Sequence, residues 1–111
     1  MKTFTNREIN QLSLSAKSYS LVILKPGPNS GDDTSPALMM EHGRRNFGLL
    51  DAGVLAASLT VLDGSEVFGV RAFIATVDET IAIMNDDPCV ATGVFTFEVH
   101  PCRGFVGDSL P

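Results

Sequence analysis

The sequence predicts an α+β fold in which a four-stranded antiparallel sheet carries two helices on one face. Three observations predict it. Four segments have the continuous apolar runs or the alternation that are typical of strands. Two segments between them begin and end with the residues that start and stop helices. These segments follow one another in the order strand, helix, strand, strand, helix, strand.

The first strand and the first long helix lie in the first half of the chain. The near-continuous apolar run Tyr19–Lys25 indicates a strand that is covered on both faces. The loop "PGPNSGDDT" follows, and Ser35 as N-cap with Pro36 at the first helical position then starts a helix that Gly53 ends. We expect the helix to face the sheet with a stripe made of Met39, Gly43, Asn46, Phe47 and Leu50.

The second half of the chain supplies the other three strands. The second strand is predicted over Val54–Leu62 and the third over Glu66–Thr76, joined by a hairpin turn at "DGS". Thr76 and Glu79 form a capping box for a short helix that runs to about residue 85. The last strand lies in "GVFTFEVHP", and the tail "CRGFVGDSLP" is predicted to be an ordered loop. The resulting order βαββαβ is the ferredoxin-like, or split βαβ, arrangement.

The domain organisation that we expect is a short arm followed by one domain. Residues 1–17 are polar with few apolar positions, which indicates an N-terminal arm, and residues 18–111 form a single domain. The sheet face without helices is too apolar for open water. We therefore expect a second copy of the chain to cover it, so that the protein is a homodimer or a higher homo-oligomer.

The composition excludes several classes of protein. Hydrophobic residues make up 44% and charged residues 19%, with a net charge of −5, so a nucleic-acid-binding face is not expected. No apolar run approaches the roughly 20 residues of a membrane span, and the N-terminus lacks the apolar region of a secretory signal. We expect a cytoplasmic protein. Cys89 and Cys102 flank the last strand, which separates them too far for a disulfide, so both are predicted to be free thiols.

Few residues of the sequence can carry chemistry. It has no pair of His or Cys at metal-ligand spacing, no phosphate-binding loop and no dinucleotide fingerprint, so we predict neither a metal nor a cofactor. The acidic pair Asp32 and Asp33 fits a solvated loop better than a cation site. Cys89 lacks an evident His partner in the sequence and is predicted to be a structural thiol.

His42 and Asp87 each have two interpretations. His42 lies on the flank of the helical stripe, where it is either a partly buried histidine bonded to backbone or a group with a chemical role. Asp87 precedes Pro88, which forces it out of helical dihedrals, so it is either a structural turn residue or half of a catalytic pair.

The chain from Tyr19 to Pro101 resembles the YciI-like (YCII-related) family. The segments that carry the resemblance are "YSLVILKPGPN", "MEHGRRNFGLLDAGVL", "DGSEVFGVRAFIA" and "DDPCVATGVFTFEVHP". The resemblance implies ferredoxin-like domains that pair into a dimeric α+β barrel. It also implies a His–Asp pair at a cleft, which is carried over to His42 and Asp87.

Three further residues are candidates for substrate binding. Arg71 on the third strand is able to hold an anionic group if it points into the cleft. Relatives often carry Gly-Pro near the end of the second strand, where this chain has Ser58 and Thr60, so the cleft is expected to differ in shape and polarity.

Two functions follow from the resemblance. The first is an enzyme of the isomerase or lyase (dehydrohalogenase) type, in which His42 is the acid/base and Asp87 orients it for proton transfer on a small cyclic or aromatic molecule. The second is a non-catalytic dimeric module that binds a small molecule or builds an assembly. A His42–Asp87 distance above about 4 Å, with no pocket beside the pair, would remove the geometric basis of the first.

Overall fold

The computed structural model describes residues 1–31 and 35–111. The acidic pair Asp32 and Asp33, and the role of the Ser35 side chain as an N-cap, lie outside what it describes. Within the described residues the elements are α1 (Asn6–Ser13), β1 (Ala16–Pro26), α2 (Ser35–Asp51), β2 (Leu55–Thr60), β3 (Gly69–Phe73), α3 (Val77–Asn85), α4 (Pro88–Ala91) and β4 (Phe95–Phe105).

The four strands form one antiparallel sheet in the order β2-β3-β1-β4. The first strand, β1, lies between β3 and β4, and its eleven residues pair with all of β4. The α+β class and the ferredoxin-like arrangement that the sequence predicts are therefore confirmed.

The core lies between the sheet and the helices. Alternate residues of β1 are buried on the inner face, and residues of α3 and α4 join them in one apolar cluster. One face of the sheet is thus buried, and no helix of the described residues packs on the core from the other face. The fully enclosed members of the cluster include Val22, Phe73, Met84 and Cys89.

The helix α2 packs on the sheet with a different face from the predicted one. His42 is buried, and Leu38 and Leu49 pack against the core. Of the predicted stripe, Leu50 packs against the core, but Phe47 is 74% exposed and Met39 is also exposed. The physical reason is that burial of His42 costs little when both ring nitrogens have partners, as they do here.

Several element boundaries differ from the prediction. The link between β2 and β3 spans residues 61–68, longer than a tight hairpin, and Asp63 there accepts a hydrogen bond from the N–H of Ser65. The last strand continues to Phe105, so part of the predicted tail is strand instead of loop. The reason is that β1 itself begins at Ala16, three residues earlier than expected, and supplies the partner for that extension.

The N-terminal helix α1 lies at one end of an elongated molecule. Thr5 and Glu8 form its capping box, and none of its residues is buried. Its apolar side chains lie near Phe105 and Val106, next to the ribbon formed by the start of β1 and the end of β4. Among the described residues, no helix has the length and apolar character needed to cross a membrane.

Candidate active site

The backbone between α3 and α4 places Asp87. The helix α3 ends at Asn85 with Asp86 as its C-cap, and Pro88 is the first residue of α4. Between them Asp87 takes an extended conformation (φ −68°, ψ 128°), which is the conformation of an N-cap and the one that a following proline favours. Its Oδ1 accepts the backbone N–H of Cys89 at 2.8 Å. One carboxylate oxygen is therefore used to cap α4, and the other is left for a second partner.

That second partner is His42 of α2. The His42 Nδ1 atom lies 2.7 Å from Asp87 Oδ2, and the other ring nitrogen, Nε2, lies 2.6 Å from a terminal nitrogen of Arg71 on β3. All three side chains are nearly inaccessible, with Asp87 at 0%, Arg71 at 4% and His42 at 5% exposure. Three separate elements thus bring an acid, an imidazole and a guanidinium into one hydrogen-bonded chain.

The chain of bonds defines the tautomer of His42. A guanidinium has donors and no acceptor, so Arg71 must donate to Nε2, which therefore carries no proton in this arrangement. The single imidazole proton is then on Nδ1, which donates to Asp87 Oδ2. A doubly protonated ring would place two donors against each other at 2.6 Å. The arrangement is thus a neutral imidazole between a carboxylate and a guanidinium.

The charges of Asp87 and Arg71 influence each other across the imidazole. Burial by itself raises the pKa of Asp87, but the hydrogen bond from His42, the hydrogen bond from the N–H of Cys89 and the charge of Arg71 together outweigh it, so the pKa lies below its usual range. Burial lowers the pKa of Arg71, while the charge of Asp87 opposes that change. Arg71 remains a cation, because arginine does not deprotonate in proteins.

Cys89 is a structural thiol, as predicted from the sequence. Both cysteines are free, and Cys89 is completely buried. Burial, with the nearby charge of Asp87, raises the pKa of its thiol to about 11, and the S–H group donates to the carbonyl of Leu38 at 3.3 Å. A thiol in this state is a weak nucleophile.

The same neighbourhood holds a group of three residue types that bind metals. The ligand atoms of His42, Asp87 and Cys89 all lie within 4.8 Å of one another. Their bonding is that of a hydrogen-bonded cluster, because a 2.7 Å separation of Nδ1 and Oδ2 is shorter than the roughly 3.3 Å between ligands about 2.0 Å from a tetrahedral zinc. The adjacent positive charge of the Arg71 guanidinium also disfavours a divalent cation.

A cavity of about 570 Å³ opens beside His42 and Arg71. Ser58 and Thr60 of β2 line it, and they lie directly across the strand pair from Arg71 and Gly69, so they share the inner face of the sheet. The rest of its wall is mainly apolar, and it includes the whole stripe of α2 that was predicted to face the core. The larger apolar side chains of the wall are Leu24, Met39, Phe47, Leu50, Leu59, Phe68 and Phe95.

Two aromatic rings support the imidazole. Phe95, the first residue of β4, meets the ring of His42 edge to face, with centroids 5.1 Å apart. Phe68 meets Phe95 in the same way at 5.0 Å. Edge-to-face contacts of this kind fix the orientation of a ring. His42 is therefore held by two hydrogen bonds and by packing.

The structure brings together all five residues that were singled out in the sequence. His42, Asp87 and Arg71 form the buried chain, and Ser58 and Thr60 line the adjacent cavity. The roles of Phe95 and of the Cys89 N–H were not anticipated. The Asp87-Pro88 pair in the sequence could have predicted the bond to the Cys89 N–H, because Asp is a favoured N-cap and proline a favoured first helical residue.

Comparison with known proteins finds no family model and no curated protein that matches the sequence. The fold and the site together define a class: a ferredoxin-like α+β protein with a buried Asp–His–Arg chain beside an apolar cavity. The resemblance to the YciI-like family stays a prediction.

Proposed function

We propose that the protein is an acid/base enzyme that transfers a proton on a small cyclic or aromatic molecule, as an isomerase or a lyase of the dehydrohalogenase type. The observation that carries this proposal is the 2.7 Å bond from His42 to Asp87 beside a cavity. It meets the geometric requirement for a histidine base that is oriented by a carboxylate. The apolar wall suits a ring-shaped substrate.

His42 is the base in this proposal. Its unprotonated nitrogen, Nε2, removes a proton from a carbon of the substrate, and the imidazolium that forms is stabilised by Asp87. In an isomerisation the proton returns to a different carbon. In an elimination the C–H electron pair forms a double bond, halide leaves with the bonding pair, and the imidazolium gives its proton to water.

Asp87 is a positioning residue. Its Oδ2 accepts the Nδ1 proton, which fixes the tautomer that leaves Nε2 free of hydrogen. The oxygen is itself held in place because its neighbour Oδ1 caps α4. Arg71, Ser58 and Thr60 line the cavity as substrate-binding residues.

The test compares His42→Ala with the wild-type protein across a panel of lactones and halogenated hydroquinones, each of them supplied both as the neutral compound and as an analogue that carries a ring carboxylate. We expect at least one substrate to be turned over, with a loss of about 10²–10⁴-fold in the variant, which is the usual contribution of a general base. His100→Ala is the matched control, because His100 is exposed on β4 and its one side-chain hydrogen bond among the described residues is with Glu98. Since His100 lies opposite Leu21 on the uncovered face of the sheet, the mass of this variant is measured as well and should equal that of the wild type. Equal turnover by the wild type and His42→Ala would refute the assignment.

The alternative is a non-catalytic module that binds a small molecule. The observation that favours it is the occupation of Nε2 by Arg71, since a base whose lone pair is bonded is not free to act. Binding of panel compounds without turnover, unaffected by His42→Ala, would support this alternative.

We also propose that the protein forms a homodimer through the sheet face without helices. Leu21 and Ile23 of β1 and Val70 and Ala72 of β3 point to that face, opposite to the buried residues with which they alternate. These four side chains are half-buried and adjoin one another, with Glu98 and His100 beside them on β4. An apolar patch with a polar rim is typical of an interface.

A further inference from the structure

The guanidinium of Arg71 has fewer partners than its chemistry allows. Its only nitrogen or oxygen acceptor among the described residues is His42 Nε2, and its other contact is the sulfur of Met84 at 3.9 Å. A guanidinium offers five N–H donors in a planar fork. Arg71 therefore lines the cavity as a cation with unused hydrogen-bonding capacity, in a place where water is largely excluded.

Arg71 and His42 also prevent each other from acting. While Arg71 donates to Nε2, the lone pair of the imidazole is not available to take a proton from substrate. In the same arrangement one terminal nitrogen of the guanidinium is not available to bind an anion. A ligand that binds the guanidinium better than an imidazole does will release both groups at once.

The cavity indicates what that ligand is. Arg71 is the only lysine or arginine among the described residues that line the cavity. Its single positive charge balances a ligand with one negative charge but not a ligand with two. A carboxylate fits the planar fork with two parallel hydrogen bonds, which are stronger than a bond to a neutral nitrogen. The apolar wall from α2 and Phe95 fits a ring attached to that carboxylate.

We propose that the ligand of this cavity is a small aromatic or alicyclic monocarboxylate, and that its carboxylate draws the Arg71 guanidinium away from His42 Nε2 and so frees the base. The proposal deepens the proposed function and rests on it for the role of His42 as a base. Substrate binding then activates the site, and a neutral analogue leaves it blocked.

The experiment uses benzoate and its neutral isostere benzamide as probes of the wild-type protein. We expect benzoate to bind about tenfold more tightly than benzamide in calorimetry, because hydrogen bonds between a guanidinium and a carboxylate are stronger than those between a guanidinium and a neutral amide. The second measurement is ¹⁵N NMR of labelled protein. We expect benzoate to move the His42 Nε2 resonance to the position of an unprotonated nitrogen that accepts no hydrogen bond, and benzamide to leave the resonance unchanged.

The variant that tests the same point is Arg71→Gln, which keeps an N–H donor for His42 and removes the charge. We expect it to bind benzoate and benzamide equally. If the variant does not fold, the wild-type calorimetry and NMR decide alone. Equal affinity of the wild type for the two probes, binding of neither, an unchanged Nε2 resonance with benzoate bound, or a protonated Nε2 would each overturn the proposal.

These outcomes are distinguishable from failure of the proposed function. The benzoate experiment needs no turnover, so it reports only on the ligand class and on the release of Nε2. Loss of the proposed function would instead appear as unchanged turnover in His42→Ala. If benzoate binds and releases Nε2 but His42→Ala keeps the turnover of the wild type, the cavity is a carboxylate-binding site and His42 is not catalytic.

Discussion

Asp87 has two tasks at the residue scale, because one of its oxygens caps α4 and the other holds His42. Its pKa lies below the usual range, so the ionised carboxylate favours the folded state. The resulting stability is present above the unfolded-state pKa of about 3.9 and is lost as the pH falls through the lower, folded-state pKa. Asp87 is therefore expected to contribute to acid unfolding.

We predict that Asp87→Asn lowers the free energy of unfolding by about 3 kcal/mol at pH 7, since it leaves the buried Arg71 charge without its counter-charge. The gap between the variant and the wild type should narrow below about pH 4, because there the Asp87 carboxylate of the unfolded wild-type chain takes up a proton before that of the folded chain does. Urea denaturation at a series of pH values measures both effects.

The neighbouring residue supplies a matched control for this experiment. Asp86 is exposed at the end of α3, so Asp86→Asn should change the free energy of unfolding by less than about 0.5 kcal/mol. A gap for Asp87→Asn that does not change with pH would show that its carboxylate is not stabilised in the folded state.

The two thiols are predicted to differ in reactivity. At pH 8 a thiol with a pKa of about 11 is ionised in roughly a thousandth of molecules, and Cys89 is also completely buried. Cys102 is partly exposed on β4. A thiol reagent at pH 8 should therefore label Cys102 quickly in the native protein and Cys89 only after denaturant is added. Rapid labelling of native Cys102→Ser would contradict this assignment.

Only part of the candidate site could be predicted from the sequence. Asp87 carries a local signal, because a following proline places it at a helix start, and the resemblance suggested His42 as its partner. The contact of Arg71 with Nε2 has no local signal, since it depends on the rotation of α2 over the sheet. The apolar periodicity of α2 predicted this rotation wrongly. The stripe that contains Phe47 lines the cavity, and His42 is buried instead.

At the scale of elements, a close crossing of two backbones joins the end of β1 to the start of β4. Gly27 donates its N–H to the carbonyl of Val94 at 2.9 Å, and Asn29 donates to the carbonyl of Gly93 at 2.8 Å. A Cβ atom on Gly27 would lie under 3.0 Å from the Gly93 backbone, and Gly93 itself has φ +77°. The crossing thus requires glycine, and it leads into the loop that includes Ser30 and Gly31 of the cavity wall.

We predict that Gly27→Ala destabilises the protein by about 1–3 kcal/mol, because the clash is with backbone that has to shift. The control is Gly48→Ala in α2, where a Cβ meets nothing within 4 Å. It should raise stability by up to about 1 kcal/mol, since alanine is the better helix former. Thermal unfolding of the two variants measures the difference, and an equal effect of both would show that the crossing tolerates a side chain.

The boundaries of elements were predictable where the signal is local. The capping box of Thr76 and Glu79 and the stop at Gly53 (φ +73°) both lie where the sequence places them. The extension of β4 to Phe105 was not predictable, because it depends on pairing with the start of β1 about ninety positions earlier in the chain. Pairing of this kind is a property of the sheet and leaves no mark on either segment.

At the scale of the whole molecule, the helices that the structure describes bury one face of the sheet against the core and leave the other face uncovered. We predict that the wild-type protein has twice the 11.8 kDa mass of one chain in size-exclusion chromatography with light scattering. Val70→Lys places a charge on the uncovered face of β3, and burying that charge in an interface is costly. The variant should therefore have the mass of a single chain.

Leu62→Lys is the control for that change, because it makes the same substitution of charge on a loop residue that is 90% exposed. It should keep the mass of the wild type. A wild-type mass of one chain would refute the dimer, and a Val70→Lys mass equal to two chains would place the interface elsewhere. Because Val70 is next to Arg71 on β3 and points to the opposite face, the same strand would then serve the interface with one residue and the site with the next. Dimer formation would thus stiffen the strand that holds the guanidinium against His42.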